Sequence, residues 1–274
     1  MIKFSHSIFA LPFALTSAAL AAGRRVPWAE LPWILLAMVG ARSAAMGVNR
    51  LADQELDARN PRTSGRELPA GRISRREAWA FVALASVAFV LAAGMLNTRC
   101  LALSPVALAI VFGYSYTKRF TALSHLLLGL ALAVAPVGAW LAIRGTFALP
   151  PLVLGLAVLF WVAGFDTIYA CQDLDFDRRE GLHSLPARLG VGRALRLARG
   201  FHAACVALLL ALYFVAELHA SYLVAVAVVA ALLLYEHSLV RADDLSRVNA
   251  AFFAVNGWIA VLYFVATVTA HFLA

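Results

Sequence analysis

Charge is what this sequence has least of. Only 14% of its 274 side chains are charged and 63% are hydrophobic, which excludes an ordinary soluble globule, where about half of the residues are apolar. Cysteine is scarce too. Cys100, Cys171 and Cys205 stand apart in apolar runs without CxxC spacing, so a disulfide scaffold or zinc ribbon is excluded and packing is left as their role. No series of alternating ten-residue segments points to a membrane barrel.

What remains is a set of long apolar runs, each near the twenty residues needed to cross a bilayer. Nine spans are expected, at 5–23, 30–52, 78–96, 100–117, 122–143, 149–172, 198–216, 219–239 and 249–272. The fold class is therefore all-α, a polytopic membrane bundle of nine helices, with residues 1–274 forming a single transmembrane domain. The first run ends in SAALAAG, like a signal-peptide cleavage site, but its length and the following Arg24–Arg25 favour a retained helix. The formal net charge of +8 is mainly a topology signal rather than a sign of nucleic-acid binding. With the N-terminus inside, seventeen Lys and Arg side chains fall on the cytoplasmic side and four outside, a strong positive-inside bias. A bacterial-type inner membrane is the expected location, with the C-terminus outside. No obligate protein partner is evident.

The few acids are concentrated. Both long charged loops, 53–77 and 173–199, lie on the predicted cytoplasmic side, and each begins with acids at the end of a span. At about 100° per residue, Arg42, Asn49, Asp53 and Asp57 share one helical face, and Asp166, Asp173 and Asp177 share another. Asp175 and Glu55 point elsewhere and read as solvated. Matching placement of the two groups hints at two pseudo-related halves. Paired carboxylates one turn apart offer the hard oxygen ligands that Mg²⁺ prefers, in a shell shared with phosphate oxygens. Two such clusters could clamp a diphosphate; solvated acids paired with nearby arginines are the plainer alternative. Arg59, Arg62 and Arg66 after the first cluster, and Arg178, Arg179 and Arg188 after the second, supply forks suited to phosphate.

Three further features stand out. Tyr114 and Lys118 share a face at an inner helix end, either as interfacial aromatic and topology charge or as part of a site. Arg42 lies about 16 Å above Asp53 along its helix, a depth at which an arginine needs a partner or a cavity. Asp166, about 10 Å above Asp173, is at comparable depth and available as that partner. His6, His125, His202, His219, His237 and His271 show no ligand spacing and read as interface or packing residues.

Taken together, NRLADQELD at 49–57, DLDFD at 173–177, YSYTK at 114–118, RELPAG at 66–71 and Arg42 seven residues before Asn49 resemble the UbiA superfamily of intramembrane prenyltransferases. The likeness runs in order over nearly the whole chain. NPRTSGRELPAGRIS and GFDTIYACQDLDFDRREGLHSLPARLG are similar to the 4-hydroxybenzoate polyprenyltransferase group and its relatives in menaquinone synthesis through futalosine. Two departures are Arg50, where the first motif usually has Asp, and His183, where 4-hydroxybenzoate enzymes often carry lysine.

The resemblance implies transfer of a polyprenyl group from polyprenyl diphosphate to an aromatic acid acceptor, 4-hydroxybenzoate or 1,4-dihydroxy-6-naphthoate, within membrane lipid. It implies Mg²⁺ at Asn49, Asp53, Asp57, Asp173 and Asp177, and diphosphate contacts from Lys118 and Arg66 beside Tyr114. Arg42 is expected to pair with the acceptor carboxylate, and Asp166 to orient the ring or take up a proton. Rival readings are a secondary transporter of an anionic solute and a family member with a porphyrin or glycerol phosphate acceptor.

Overall fold

Prolines and capping side chains set where the helices begin. The computed structural model describes residues 9–273; Lys3, His6 and the first positions of the span expected from residue 5 lie outside them. The helices are α1 (Leu11–Ala22), α2 (Leu31–Ala52), α3 (Gln54–Arg59), α4 (Arg75–Leu96), α5 (Thr98–Thr117), α6 (Ser124–Arg144), α7 (Leu149–Ala170), α8 (Leu174–Arg179), α9 (Leu185–Leu189), α10 (Val191–Val215), α11 (Tyr222–Ser238) and α12 (Asn256–Leu273). A 3-10 turn at Cys171–Asp173 joins α7 to α8, and a π-helical stretch at Ala250–Val255 leads into α12. Proline stands in the first turn of α1, α2, α7 and α9, where its missing N–H costs nothing. Ser74 and Glu77 form a reciprocal capping box on α4, and Asn97 caps α5.

Seven helical stretches are long and apolar enough to cross a membrane, and α1 and α11 are shorter apolar helices. These occupy the nine expected spans. The all-helical expectation holds among the described residues, apart from an isolated bridge between Arg241 and Asp244. Leu84 and Phe214, 70% and 74% exposed, sit on outward faces that suit hydrocarbon, not water. Inside α5, Pro105 has no N–H for the Leu101 carbonyl, and the Ser104 hydroxyl donates to that oxygen instead at 2.8 Å.

The two halves repeat one device. Asp53 ends α2 with φ −95° and ψ 7°, and Asp173 ends the extension of α7 with φ −98° and ψ 7°. Each then opens a six-residue helix, α3 or α8. Backbone bonds from Asp53 N to Asn49 O and from Asp57 N to Asp53 O, at 3.0 and 2.7 Å, carry the first helix through its bend. The three polar side chains thus stay on one side.

Around this device α2 packs on α4 and α5, α6 on α5 and α7, and α7 on α10; α1 joins α6 to α12. The main core lies in the second half, where Phe13, Trp161, Phe165 and Tyr263 interlock. In a bilayer such packing rests on close approach rather than expulsion of water. Gly129 is such a point: a β-carbon there would run into the Leu159 carbonyl of α7. Gly129→Ala should therefore cost about 1–3 kcal/mol, read as a lower Tm in detergent. Gly138→Ala on the same helix meets nothing within 4 Å and should leave stability unchanged or raise it by up to about 1 kcal/mol.

Candidate active site

The two bends bring their acids to one mouth, and Asp53, Asp57 and Asp173 draw in cations from other elements. Asp53, 4% exposed, accepts from Lys118 Nζ at 2.6 Å, Arg119 Nη2 at 3.1 Å and Asn49 Nδ2 at 3.3 Å. Asp57, also buried, takes Arg66 Nη1 on both oxygens at 2.7 Å, with Arg50 at 3.8 Å. Asp173 receives Arg62 Nε and Nη2 at 3.0 and 2.6 Å, and Asn60 Nδ2 at 3.3 Å. Asp177 lies within reach of Ser184 and feels the charges of Asp173 and Lys118.

These contacts cross the pseudo-symmetry. Asn60 and Arg62 belong to the loop after the first cluster yet hold the second, and Arg59 pairs with Glu180 at 2.9 Å. The backbone N–H of His183 donates to the Lys118 carbonyl at 2.7 Å. Arg62 also donates to Tyr169 Oη at 3.0 Å and lies over that ring. Burial is the largest influence and works against its charge, but the Asp173 hydrogen bond and the charges of Asp173, Tyr169 and Asp57 together outweigh it and hold the guanidinium above its ordinary pKa.

Five cations, Arg50, Arg62, Arg66, Lys118 and Arg119, thus stand against four aspartates. The excess suits an anion. Among the described residues no three His, Cys, Asp or Glu side chains are gathered as a metal-binding group. Three of the four aspartates, Asp53, Asp57 and Asp173, are turned toward their own cations. The donor chemistry still fits a hard cation. Carboxylates face each other across the mouth, and Asn49, donating its Nδ2 to Asp53, keeps its amide oxygen available.

Above the mouth, α2, α4, α5, α6 and α7 enclose a cavity of about 620 Å³, walled by apolar side chains such as Met38, Phe89, Ile110 and Leu156. Arg42 and Tyr114 line it, and among the described residues Arg42 is its one charged residue. Arg42 Nε is sealed from solvent without a hydrogen-bond partner. The structural pairing of Arg42 with Asp166 does not form. Asp166 Oδ2 is bonded instead to His125 Nδ1 at 2.6 Å, and its charge, with those of Arg42 and Asp53, bears on the Tyr114 phenol.

Sequence reasoning missed two members of this site. Arg119 reads as a topology charge but fastens Asp53 and the Ala52 carbonyl. His125 reads as packing but is the partner of Asp166. Nothing in the linear pattern marks either, although Arg119 does stand beside Lys118. Arg50 bears on Asp57 rather than on Asp53, and Asp175 and Glu55 are exposed, as their helical phase requires.

Comparison with known proteins agrees with this geometry. A family model described as the UbiA prenyltransferase family matches residues 10–271. A 4-hydroxybenzoate octaprenyltransferase from Xanthomonas euvesicatoria pv. vesicatoria (strain 85-10) is 35% identical over 85% of this chain and 78% of its own length. The apo structure of a UbiA homolog from Aeropyrum pernix K1 superposes with a TM-score of 0.89 at 37% identity, covering 98% of this chain and 99% of its own. A UbiA homolog from Archaeoglobus fulgidus bound to DMAPP and Mg²⁺ shares the fold, with a TM-score of 0.77 at 22% identity over 98% of this chain and 96% of that one.

The charge excess makes a direct prediction. Inorganic pyrophosphate with Mg²⁺ should raise the Tm of the purified protein, by the equivalent of about 2.7 kcal/mol at a hundredfold excess over its Kd. Lys118→Ala and Arg62→Ala should each shrink that shift; an unchanged shift would remove these side chains from anion binding.

Proposed function

Since this chain belongs to the UbiA prenyltransferase family, we propose that it moves a polyprenyl group from its diphosphate onto a hydroxylated aromatic carboxylic acid. The acceptor is of 4-hydroxybenzoate or 1,4-dihydroxy-6-naphthoate type, and the product is a ubiquinone- or menaquinone-type precursor. The observation that carries this reading is the unpaired Arg42 in an otherwise apolar cavity. A guanidinium in such a place calls for a carboxylate, and the ligand must be greasy enough to fill the rest. The relative from Xanthomonas is named for an acceptor with those two properties. Family membership sets the transporter reading aside. Porphyrin and glycerol phosphate acceptors also carry anionic groups that a guanidinium binds; the relative named for 4-hydroxybenzoate favours the aromatic acid.

In this reading the prenyl diphosphate lies with its head in the mouth and its chain in the cavity. Lys118, Arg62 and Arg66 exchange their aspartates for phosphate oxygens, with Arg50 and Arg119 behind them. Asp53, Asp57, Asp173, Asp177 and the Asn49 amide oxygen would hold Mg²⁺, which supplies charge neutralisation on the leaving diphosphate. Arg42 fixes the acceptor carboxylate, and Tyr114 positions the ring between Arg42 and the diphosphate. The apolar walls keep water from the allylic fragment, which water would turn into a prenyl alcohol. The single domain of residues 1–274 sits in a bacterial-type inner membrane, its mouth cytoplasmic and its C-terminus outside, in keeping with the basic excess on the mouth side.

Asp53→Asn and Asp173→Asn should lower kcat in vesicles by about a thousandfold or more, the scale of losing a principal electrostatic contact in a transition state, with the fold retained by circular dichroism. Arg42→Met should raise the acceptor KM by about 10–100-fold, the scale of a lost charge-assisted hydrogen bond, and leave the KM for prenyl diphosphate near its original value. An effect of Arg42→Met confined to the diphosphate substrate would contradict this assignment.

A further inference from the structure

Asp166 and His125 form a unit whose protonation the backbone reveals. Asp166 Oδ2 meets His125 Nδ1 at 2.6 Å, while His125 Nε2 receives the backbone N–H of Leu185 at 3.3 Å. A ring nitrogen that accepts an N–H carries no proton of its own. The imidazole is therefore neutral, its proton is on Nδ1, and that proton is donated to the Asp166 carboxylate. His125 is 3% exposed, whereas the Asp166 side chain retains 24% exposure and its Oδ1 has no hydrogen-bond partner among the described residues. One oxygen is tied back and the other is free, and the same carboxylate bears on Tyr114 at the Arg42 end of the site.

The third member links this pair to the mouth. Leu185 opens α9, behind the Ser184 cap. The segment before it is fastened by Leu182 N to the Asp177 carbonyl at 2.8 Å and by His183 N to the Lys118 carbonyl at 2.7 Å. One short strap thus touches two residues of the mouth and the imidazole that faces Asp166.

Resting on the aromatic-acid reading above, we propose that His125 is a positioning residue for proton removal. It holds Asp166 ionised, with Oδ1 presented to the acceptor ring, and the 182–185 strap fixes its tautomer. In the step itself the allylic C–O bond breaks and its electron pair leaves with diphosphate. The ring carbon beside the acceptor hydroxyl bonds to the allylic carbon. The C–H electron pair then returns to the ring, and the proton passes to Asp166 Oδ1. His125 stays neutral throughout.

The test compares turnover of 4-hydroxybenzoate with that of the same acid deuterated beside the hydroxyl, using the full-length protein in vesicles. Wild type should show an isotope effect near unity, because loss of the ring proton follows slower ionisation. His125→Ala should lower kcat by about 10–100-fold, below the usual range for loss of a general base itself. The isotope effect should rise clearly above unity, with the KM for prenyl diphosphate little changed. His125→Asn, which restores an N–H near the Nδ1 position, should recover part of kcat and bring the isotope effect back toward unity. Asp166→Asn should show the raised isotope effect as well, and carries the test if His125→Ala does not fold. A fall in kcat with the isotope effect still near unity in His125→Ala and Asp166→Asn would overturn the proposal. Wild type that prenylates neither 4-hydroxybenzoate nor 1,4-dihydroxy-6-naphthoate would overturn the acceptor reading beneath it.

Discussion

A carboxylate taken out of water at the end of a membrane helix has to be met by a cation, and that requirement shapes the mouth of this protein. Asp53, Asp57 and Asp173 are each held by a side chain from elsewhere in the chain: Lys118 and Arg119 at the end of α5, Arg66 and Arg62 from the loop after α3. Leaving one of these acids buried and alone would cost several kcal/mol. These pairs fold the loops over the mouth, together with the burial of Leu68 against Val48, Leu51 and Val82. The arrangement is also exchangeable. A diphosphate offers the cations better acceptors, and a hard metal ion offers the carboxylates a better partner, so the contacts that close the mouth are those that ligands would replace.

Above that polar lip the requirement is reversed. The cavity walls are almost wholly apolar, so any charge there acts in a medium that screens it little. Arg42 is placed where its cost is greatest, without a protein acid to offset it. Trp161 and Asn256 show the contrasting structural solution. Asn256 accepts from Trp161 Nε1 at 2.7 Å and donates to Glu236 and to carbonyls of the π-helical stretch, so buried polarity in the second half is nearly closed on itself. Glu236 Oε2 is itself without a partner, but its other oxygen is tied to Asn256, whereas no hydrogen bond holds Arg42 Nε among the described residues.

Much of this was legible in the sequence, for a specific reason. Spans and the faces of Asn49, Asp53, Asp57, Asp173 and Asp177 follow from hydropathy and helical phase, which are local properties. The phase even survives the bend at Asp53, because the i to i+4 bonds continue through it. What could not be read depends on long-range pairing. That Arg62 serves Asp173, 111 positions away, is a matter of how two loops meet. His125 reaches Asp166 across 41 positions and Leu185 across 60, and no periodicity connects them. Acids in phase on two helices predict where carboxylates lie, but not that cations from distant segments pair with them.

The two halves repeat the aspartate bend almost to the degree, yet deeper in the bundle they diverge. Above Asp53 comes a cation, Arg42; above Asp173 comes an anion, Asp166, backed by His125. Under the proposed reaction this break in symmetry has a chemical logic. A diphosphate is itself nearly two-fold, so like clusters from like halves suit its two phosphates. An aromatic acid is not. One end carries a carboxylate that needs a positive partner, and the attacked edge gives up a proton that needs a negative one. A pseudo-symmetric scaffold can serve both substrates only if its halves agree at the mouth and oppose each other above it, which is how the charged side chains of α2 and α7 are distributed.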